Sequence, residues 1–199
     1  MLKLYIIRHP QATGNLVRRF QGHTDTDLTD EGLRQADILA EYFKSIPLDI
    51  VYSSDLKRAA YTAKKIANGR EVIIDPALRE INAGVWENLE VARIGADYPE
   101  ESKLWDYEPE RFAIKNGETM QAVYNRVTAA LSDITKTADG KTVAIVSHGC
   151  AIRNMLCFIK YGDIARLRDI DWSTNAAISY AECDGSWNLV YMNDTAHLE

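Results

Sequence analysis

Two histidines stand directly after apolar runs: His9 follows Leu4-Tyr5-Ile6-Ile7-Arg8, and His148 follows the segment from Thr142 to Ser147. A neutral imidazole is a competent nucleophile near pH 7, and a guanidinium can grip phosphate oxygens through two parallel N–H bonds. Arg8-His9 therefore reads as a nucleophile beside an anion clamp. The plain alternative is a surface ion pair next to a solvated histidine. Gly149, after His148, leaves a backbone N–H at a helix start, where an anion is stabilised, although a histidine at such a place also serves as a satisfied structural group. Arg58 lies one turn into the helix expected after Ser53-Ser54-Asp55, so its side chain can fold back over the helix start; its alternative is a solvated helical arginine. A departing alkoxide needs a proton, and Glu80 in Leu78-Arg79-Glu80 is the best placed carboxyl, unless it simply pairs with Arg79.

These groups can meet only if the elements before them share one sheet. Residues 2 to 7 read as a strand, followed by a Gly, Thr and Asp-rich loop from Pro10 to Asp30. An amphipathic helix runs from there to about Ser45, with Leu33, Ala36, Leu39, Ala40 and Phe43 on one face. Ile50-Val51-Tyr52 is a short strand, and Ser53-Ser54-Asp55 are three residues that suit an N-cap before a helix to about Ala67. Val72-Ile73-Ile74 is a further strand, residues 118 to 137 a long helix, and Thr142 to Val146 a fully apolar strand leading into a helix to about Lys160. Two closing strands, Ala177 to Ala181 and Trp187 to Tyr191, are joined by an Asp184-Gly185 turn. This alternation predicts an α/β fold: a three-layer α/β/α sandwich with a mostly parallel sheet, in one domain over residues 1–199. In such sheets ligands bind beyond the carboxyl ends of the strands, which is where His9, Arg58 and His148 fall.

Composition narrows the partner. A chain of 199 residues with 46% apolar and 26% charged residues reads as globular, and a net charge of −6 argues against nucleic acid or an anionic membrane as the main partner. No run approaches the roughly 20 apolar residues of a membrane span. Cys150, Cys157 and Cys183 form no C-x-x-C pair, and with no secretory leader pattern they predict reduced thiols in the cytoplasm, which makes the Asn193-Asp194-Thr195 sequon a chance match. The Asp25, Asp27 and Asp30 cluster lacks calcium-loop spacing and reads as turn and cap residues. Neither a Walker A loop nor a G-x-G-x-x-G is present.

The ordered set Arg8-His9, Thr13, Asn15, Gln21-Gly22, Asp27-Leu28-Thr29, Gly32, Gln35-Ala36, Tyr52-Ser53-Ser54-Asp55-Leu56-x-Arg58, Leu78-x-Glu80, Gly117-Glu118-Thr119 and Ser147-His148-Gly149 resembles the histidine phosphatase superfamily, in its phosphoglycerate-mutase-like branch. The resemblance runs from residue 2 to about 180. It implies a phosphohistidine on His9, a phosphate pocket from Arg8, Arg58, His148 and Asn15 with help from the Gly149 backbone, and Glu80 as proton donor. It places Gln21 and Gly22 at the substrate, and it implies no metal and no cofactor. Arg8, Arg58 and a protonated His148 would then stabilise charge on the phosphoryl oxygens. The chain departs from the family pattern at Pro10, where glycine is usual, and at Trp86-Glu87-Asn88, where glycine commonly follows Trp-Glu.

The segment from about 87 to 117 interrupts the strand–helix alternation and reads as a small helical cap over the crevice. Its aromatics Trp86, Tyr98, Trp105, Tyr107 and Phe112 either line an apolar pocket or form the cap's own core, the commoner use. Between Asp97 and Glu110 it carries six acids against one base, Lys103. The expected function is metal-independent hydrolysis of a small phosphoester, by a broad-specificity or an α-ribazole phosphatase-like enzyme. The rivals are a phosphoglycerate mutase, for whose second anion only Arg111 and Lys115 are obvious cations, and a non-catalytic phospholigand-binding module. Whether the chain forms a homodimer is left open.

Overall fold

The computed structural model describes all 199 residues and contains one six-stranded sheet in the order β3-β2-β4-β1-β5-β6. The strands are β1 (Leu2–Arg8), β2 (Ile50–Ser53), β3 (Val72–Ile74), β4 (Thr142–Ser147), β5 (Ile178–Cys183) and β6 (Trp187–Asp194). Pairs β1–β4, β2–β4 and β2–β3 are parallel, while β5 runs antiparallel to both β1 and β6. The helices are α1 (Thr13–Leu16), α2 (Asp30–Lys44), α3 (Lys57–Ala67), α4 (Val91–Asp97), α5 (Pro99–Tyr107), α6 (Met120–Thr137) and α7 (Gly149–Tyr161). None of them is long and apolar enough to cross a membrane.

Period-two alternation sends side chains to both faces of the sheet. Leu2, Leu4, Ile6, Val143 and Ile145 pack into one core with α6 and α7, while Ile7, Val51, Ala144 and Val146 pack into a second with α2 and α3. The three-layer α/β/α arrangement expected from the sequence follows. The α6 helix buries Val123, Val127, Ala130, Leu131 and Ile134, and Thr119 caps it by accepting the Ala122 N–H at 3.1 Å. Thr29 caps α2 in the same way at Gly32, 3.0 Å away.

Two local expectations need correction. Leu33 does not join Ala36, Leu39 and Phe43 in the core but is 37% exposed, because the buried first-turn position on that face is taken by Gly32, whose Cα packs tightly against the Gln11 carbonyl. None of Ser53, Ser54 and Asp55 is the N-cap of α3. That position falls to Leu56, and the free Lys57 N–H is satisfied instead by Asp25 Oδ1 at 2.8 Å, a residue 32 positions away.

Register aligns the strand ends that matter. Arg8 lies opposite Ser147, Ser53 opposite both Val146 and Ile74, and the residues that follow each strand emerge side by side. Helices α4 and α5 lie in the sequence between β3 and α6 and bury little; their attachment is aromatic. Trp86 and Phe112, both 1% exposed, contact Trp105 and each other with ring centroids 4.9 to 5.8 Å apart. Both expected uses are thus met: Phe112 is core, while Trp86 and Trp105 join it and also line a cavity. Tyr107, 70% exposed, belongs to neither the core nor a pocket.

Candidate active site

His9 leaves β1 with its backbone N–H bonded to the Ser147 carbonyl at 3.0 Å, and Pro10 biases it toward this extended conformation. Its Nδ1 is 2.7 Å from the Pro10 carbonyl oxygen. A carbonyl only accepts, so Nδ1 carries the proton and Nε2 keeps its lone pair. Asn175 Nδ2 braces the same turn, donating to the His9 and Pro10 carbonyls at 3.0 and 3.2 Å. Proline supplies no N–H here, but its carbonyl fixes the imidazole tautomer. Burial, reinforced by the positive fields of Arg58 and Arg8, holds the His9 pKa well below the ordinary imidazole range.

Arg58 does fold back over the start of α3, and it is 1% exposed. Its Nε donates to His9 Nε2 at 3.3 Å, and its two terminal nitrogens donate to the carbonyls of Thr24 and Gly22, each at 2.9 Å. Burial pushes its pKa down to about 10, with Glu80, Asp25 and Glu87 opposing the shift, so it stays charged at pH 7. The loop that receives it is itself tied down by Glu87, which accepts from the backbones of His23, Thr24 and Ala83 at 2.8 to 2.9 Å and from the Thr24 hydroxyl at 2.6 Å. Gly22 has φ +49°, and a β-carbon there would sit 2.0 Å from Glu87 Oε1.

Arg8 donates to the Ser173 carbonyl, and its guanidinium lies beside Gly149 at the first turn of α7; its Nε has no partner in the protein. His148 is fully buried with its ring centroid 5.1 Å from that of His9, and its Nε2 is 2.9 Å from Ser54 Oγ. That hydroxyl oxygen already accepts the Leu56 N–H, so its hydrogen is free to donate to His148 Nε2. Burial, then the charge of Arg58, holds the His148 pKa well below its ordinary value. Without a bound anion the ring is thus biased toward its neutral form.

Glu80 is not paired with Arg79, whose guanidinium instead grips Asp55 through two bonds, Nε lying 2.6 Å from Oδ1. The Glu80 carboxylate reaches the N-terminus of α7. Oε1 accepts from the backbone N–H groups of Ile81 and Ala151 at 2.9 and 3.1 Å, and Oε2 accepts from Cys150 at 3.0 Å. A carboxylate has about four acceptor positions, so one remains, on Oε2. The loop behind Glu80 is clamped by Arg126, which donates to the carbonyls of Ala77, Arg79 and Glu80 at 2.7 to 2.9 Å and pairs with Glu118 at 2.9 Å.

Arg8, His9, Asn15, Gln21, Gly22, Arg58, Glu80 and Gly149 line one cleft of about 160 Å³. Of the residues expected to act on or bind the phosphoryl group, His148 alone does not line it; its ring lies next to that of His9. The Asn15 Oδ1 accepts the Ala12 N–H at 3.0 Å, and Gln21 Oε1 accepts from the Thr26 hydroxyl. Trp105, one of the expected cap aromatics, also lines it, and Arg19, Phe20, Val91 and Trp172, which sequence reasoning missed, complete the lining. Arg18-Arg19 looks like any surface basic pair, and Trp172 arrives from far along the chain. Arg111 is exposed and paired with Glu108, and neither it nor Lys115 reaches the cleft.

Known proteins bear the same arrangement of chain. Phosphoserine phosphatase 1 of Hydrogenobacter thermophilus is 35% identical over 204 residues, covering 100% of this chain and 95% of that protein. The probable phosphoglycerate mutase GpmB of Yersinia pestis is 32% identical over 209 residues, covering 100% and 96%. Among solved structures, mycobacterial glucosyl-3-phosphoglycerate phosphatase in complex with VO3 superposes with a TM-score of 0.90 at 28% identity, over 97% of this chain and 99% of that one. The family model that matches residues 4–195 is that of the histidine phosphatases, so the chain that brings His9, Arg58 and Glu80 to one cleft belongs to the histidine phosphatase superfamily, branch 1.

Proposed function

We propose that this enzyme is a phosphomonoesterase that hydrolyses a small phosphoester through a phosphohistidine on His9, without a metal. The carrying observation is the tautomer: Nδ1–H is spent on the Pro10 carbonyl, so a neutral Nε2 lone pair faces Arg58 in the cleft. In the first step Nε2 attacks phosphorus, the bond to the ester oxygen breaks, and a proton on Glu80 Oε2 goes to the leaving alkoxide. In the second, water attacks the phosphohistidine and returns a proton to Glu80, releasing inorganic phosphate. Arg8, Arg58 and the Gly149 N–H take up charge on the phosphoryl oxygens, where one lost donor costs about 10²–10³-fold in rate. Asn15, Gln21 and Gly22 border the bound phosphoryl group. His148, bonded to Ser54, holds the nucleophile in place from the side.

A binding module has no use for a carboxyl lining its pocket with a free acceptor position, which favours the enzyme. A mutase must hold a second anion, and Arg111 and Lys115 lie away from the cleft, which favours hydrolysis. We read residues 1–199 as one domain with the segment from about 87 to 117 inserted as a cap, working in a reducing cytoplasm where Cys150, Cys157 and Cys183 stay buried thiols. Steady-state turnover of p-nitrophenyl phosphate in EDTA tests the reading. Wild type turns over and His9→Ala loses at least a thousandfold; equal rates for the two proteins overturn it.

A further inference from the structure

The cleft over His9 opens sideways into a larger cavity of about 440 Å³, with which it shares Arg8, Phe20, Val91, Trp105 and Trp172. Whatever alcohol carries the phosphoryl group must extend into this space. The wall it meets is largely aromatic. Trp105 and Trp172 stack with centroids 5.3 Å apart and planes 24° from parallel, and Phe20 meets Trp105 edge-on at 5.3 Å. Trp172 is also held from behind the site: the Arg153 guanidinium lies 4.6 Å from its ring centroid, and Arg153 Nε is anchored on the Ile170 carbonyl at 2.7 Å. A wall fixed in this way is set before any ligand arrives, which lowers the ordering cost of binding. The space is ample for a ring, since a cavity of roughly 150 Å³ already takes benzene.

Charge points the same way. No guanidinium bordering the two cavities is left for a second anion: in the phosphatase reading Arg8 and Arg58 hold the phosphoryl oxygens, and Arg19 is taken by the Asn88 carbonyl at 2.6 Å and by Glu90 at 2.8 Å. Asp106, which forms no ion pair, adds a carboxylate to the lining of the larger cavity. A carboxylate on the substrate would meet Asp106 and find no cation beyond those that hold the phosphoryl group, whereas an uncharged ring would pack against the tryptophans and offer an edge hydrogen to Asp106.

We infer that the preferred substrates are phosphomonoesters whose alcohol carries a planar, uncharged ring seated on the Trp105–Trp172 wall, and that carboxylate-bearing phosphoesters are disfavoured. This rests on the phosphatase reading above. The test compares kcat/KM for benzyl phosphate and 3-phosphoglycerate, both primary alkyl esters, with p-nitrophenyl phosphate as an independent check of hydrolysis. Wild type should prefer benzyl phosphate by about tenfold or more, the discrimination that a few apolar contacts supply. Trp172→Ala should lower that ratio several-fold, and Asp106→Lys, at an exposed position without partners, should lower it by improving 3-phosphoglycerate. Equal or reversed wild-type preference, or a ratio that neither variant moves, overturns the inference while p-nitrophenyl phosphate turnover leaves the phosphatase reading standing. Absence of turnover on all three esters overturns both.

Discussion

Replacing Glu80 by Gln changes one oxygen for an amide nitrogen, and the structure says what each loss should be. The carboxylate accepts three backbone N–H bonds, two on Oε1 and one on Oε2. A glutamine keeps its oxygen best at the Oε1 position, where it satisfies Ile81 and Ala151. Its NH2 then faces the Cys150 N–H, two donors against each other. Loss of that one charge-assisted bond should lower stability by about 1.5–3 kcal/mol, readable by urea unfolding. The variant also removes the proton carried on Oε2, a contribution of about 10²–10⁴-fold where a poor leaving group must be protonated. A nitrophenolate leaves without that help, so its loss should stay below about tenfold. The assay is kcat/KM for wild type and Glu80→Gln on benzyl phosphate and on p-nitrophenyl phosphate, two esters with similar rings. Equal losses on the two would refute the assignment of Glu80 as acid and leave it as a helix-terminus anchor.

Further outcomes follow from the buried histidines and the loop that holds Arg58. Because His9 is held well below the ordinary imidazole range, kcat/KM should stay flat as pH falls from 7 through 6.5 and drop only well below; an acid limb centred near 6.5 would contradict the burial of a neutral nucleophile. His9 and His148 both have folded pKa values below the unfolded one, so below pH 6.5 the unfolded chain binds protons that the folded chain refuses. Stability should therefore be full above that pH and fall beneath it by up to about 1.4 kcal/mol per pH unit for each ring, measured by denaturation at stepped pH, with a pH-independent midpoint as the opposing result. Glu87→Ala strips the acceptors of three backbone N–H groups and the Thr24 hydroxyl, and should cost about 2–4 kcal/mol and raise KM as the carbonyls that seat Arg58 shift; an unchanged melting curve would show the loop does not depend on it.

The sheet was legible in the sequence because its strands are short apolar runs with chemistry-bearing residues directly after them. Parallel register then does the rest: once β1 and β4 pair Arg8 with Ser147, His9 and His148 are neighbours. Helices α2 and α6 were legible from their apolar spacing, apart from the exposed Leu33. What escaped is non-local. Asp25 caps a helix 32 positions away, Glu80 is captured by the N-terminus of α7 some 70 positions on, and Trp172 reaches the cleft through its stacking on Trp105 and Arg153. No spacing rule carries such partners, because each is set by tertiary packing. The downward pull on His148 was equally hidden, since it comes from complete burial and then from Arg58, groups that only the fold brings around the ring.

The most direct measurement is acid-quench mass spectrometry of the enzyme mixed with p-nitrophenyl phosphate for a few milliseconds. A phosphoryl adduct on the peptide containing His9, absent in His9→Ala, is the predicted result. Full turnover of substrate with no adduct in wild type at any quench time, or an adduct that persists in His9→Ala, would contradict a phosphohistidine at this residue.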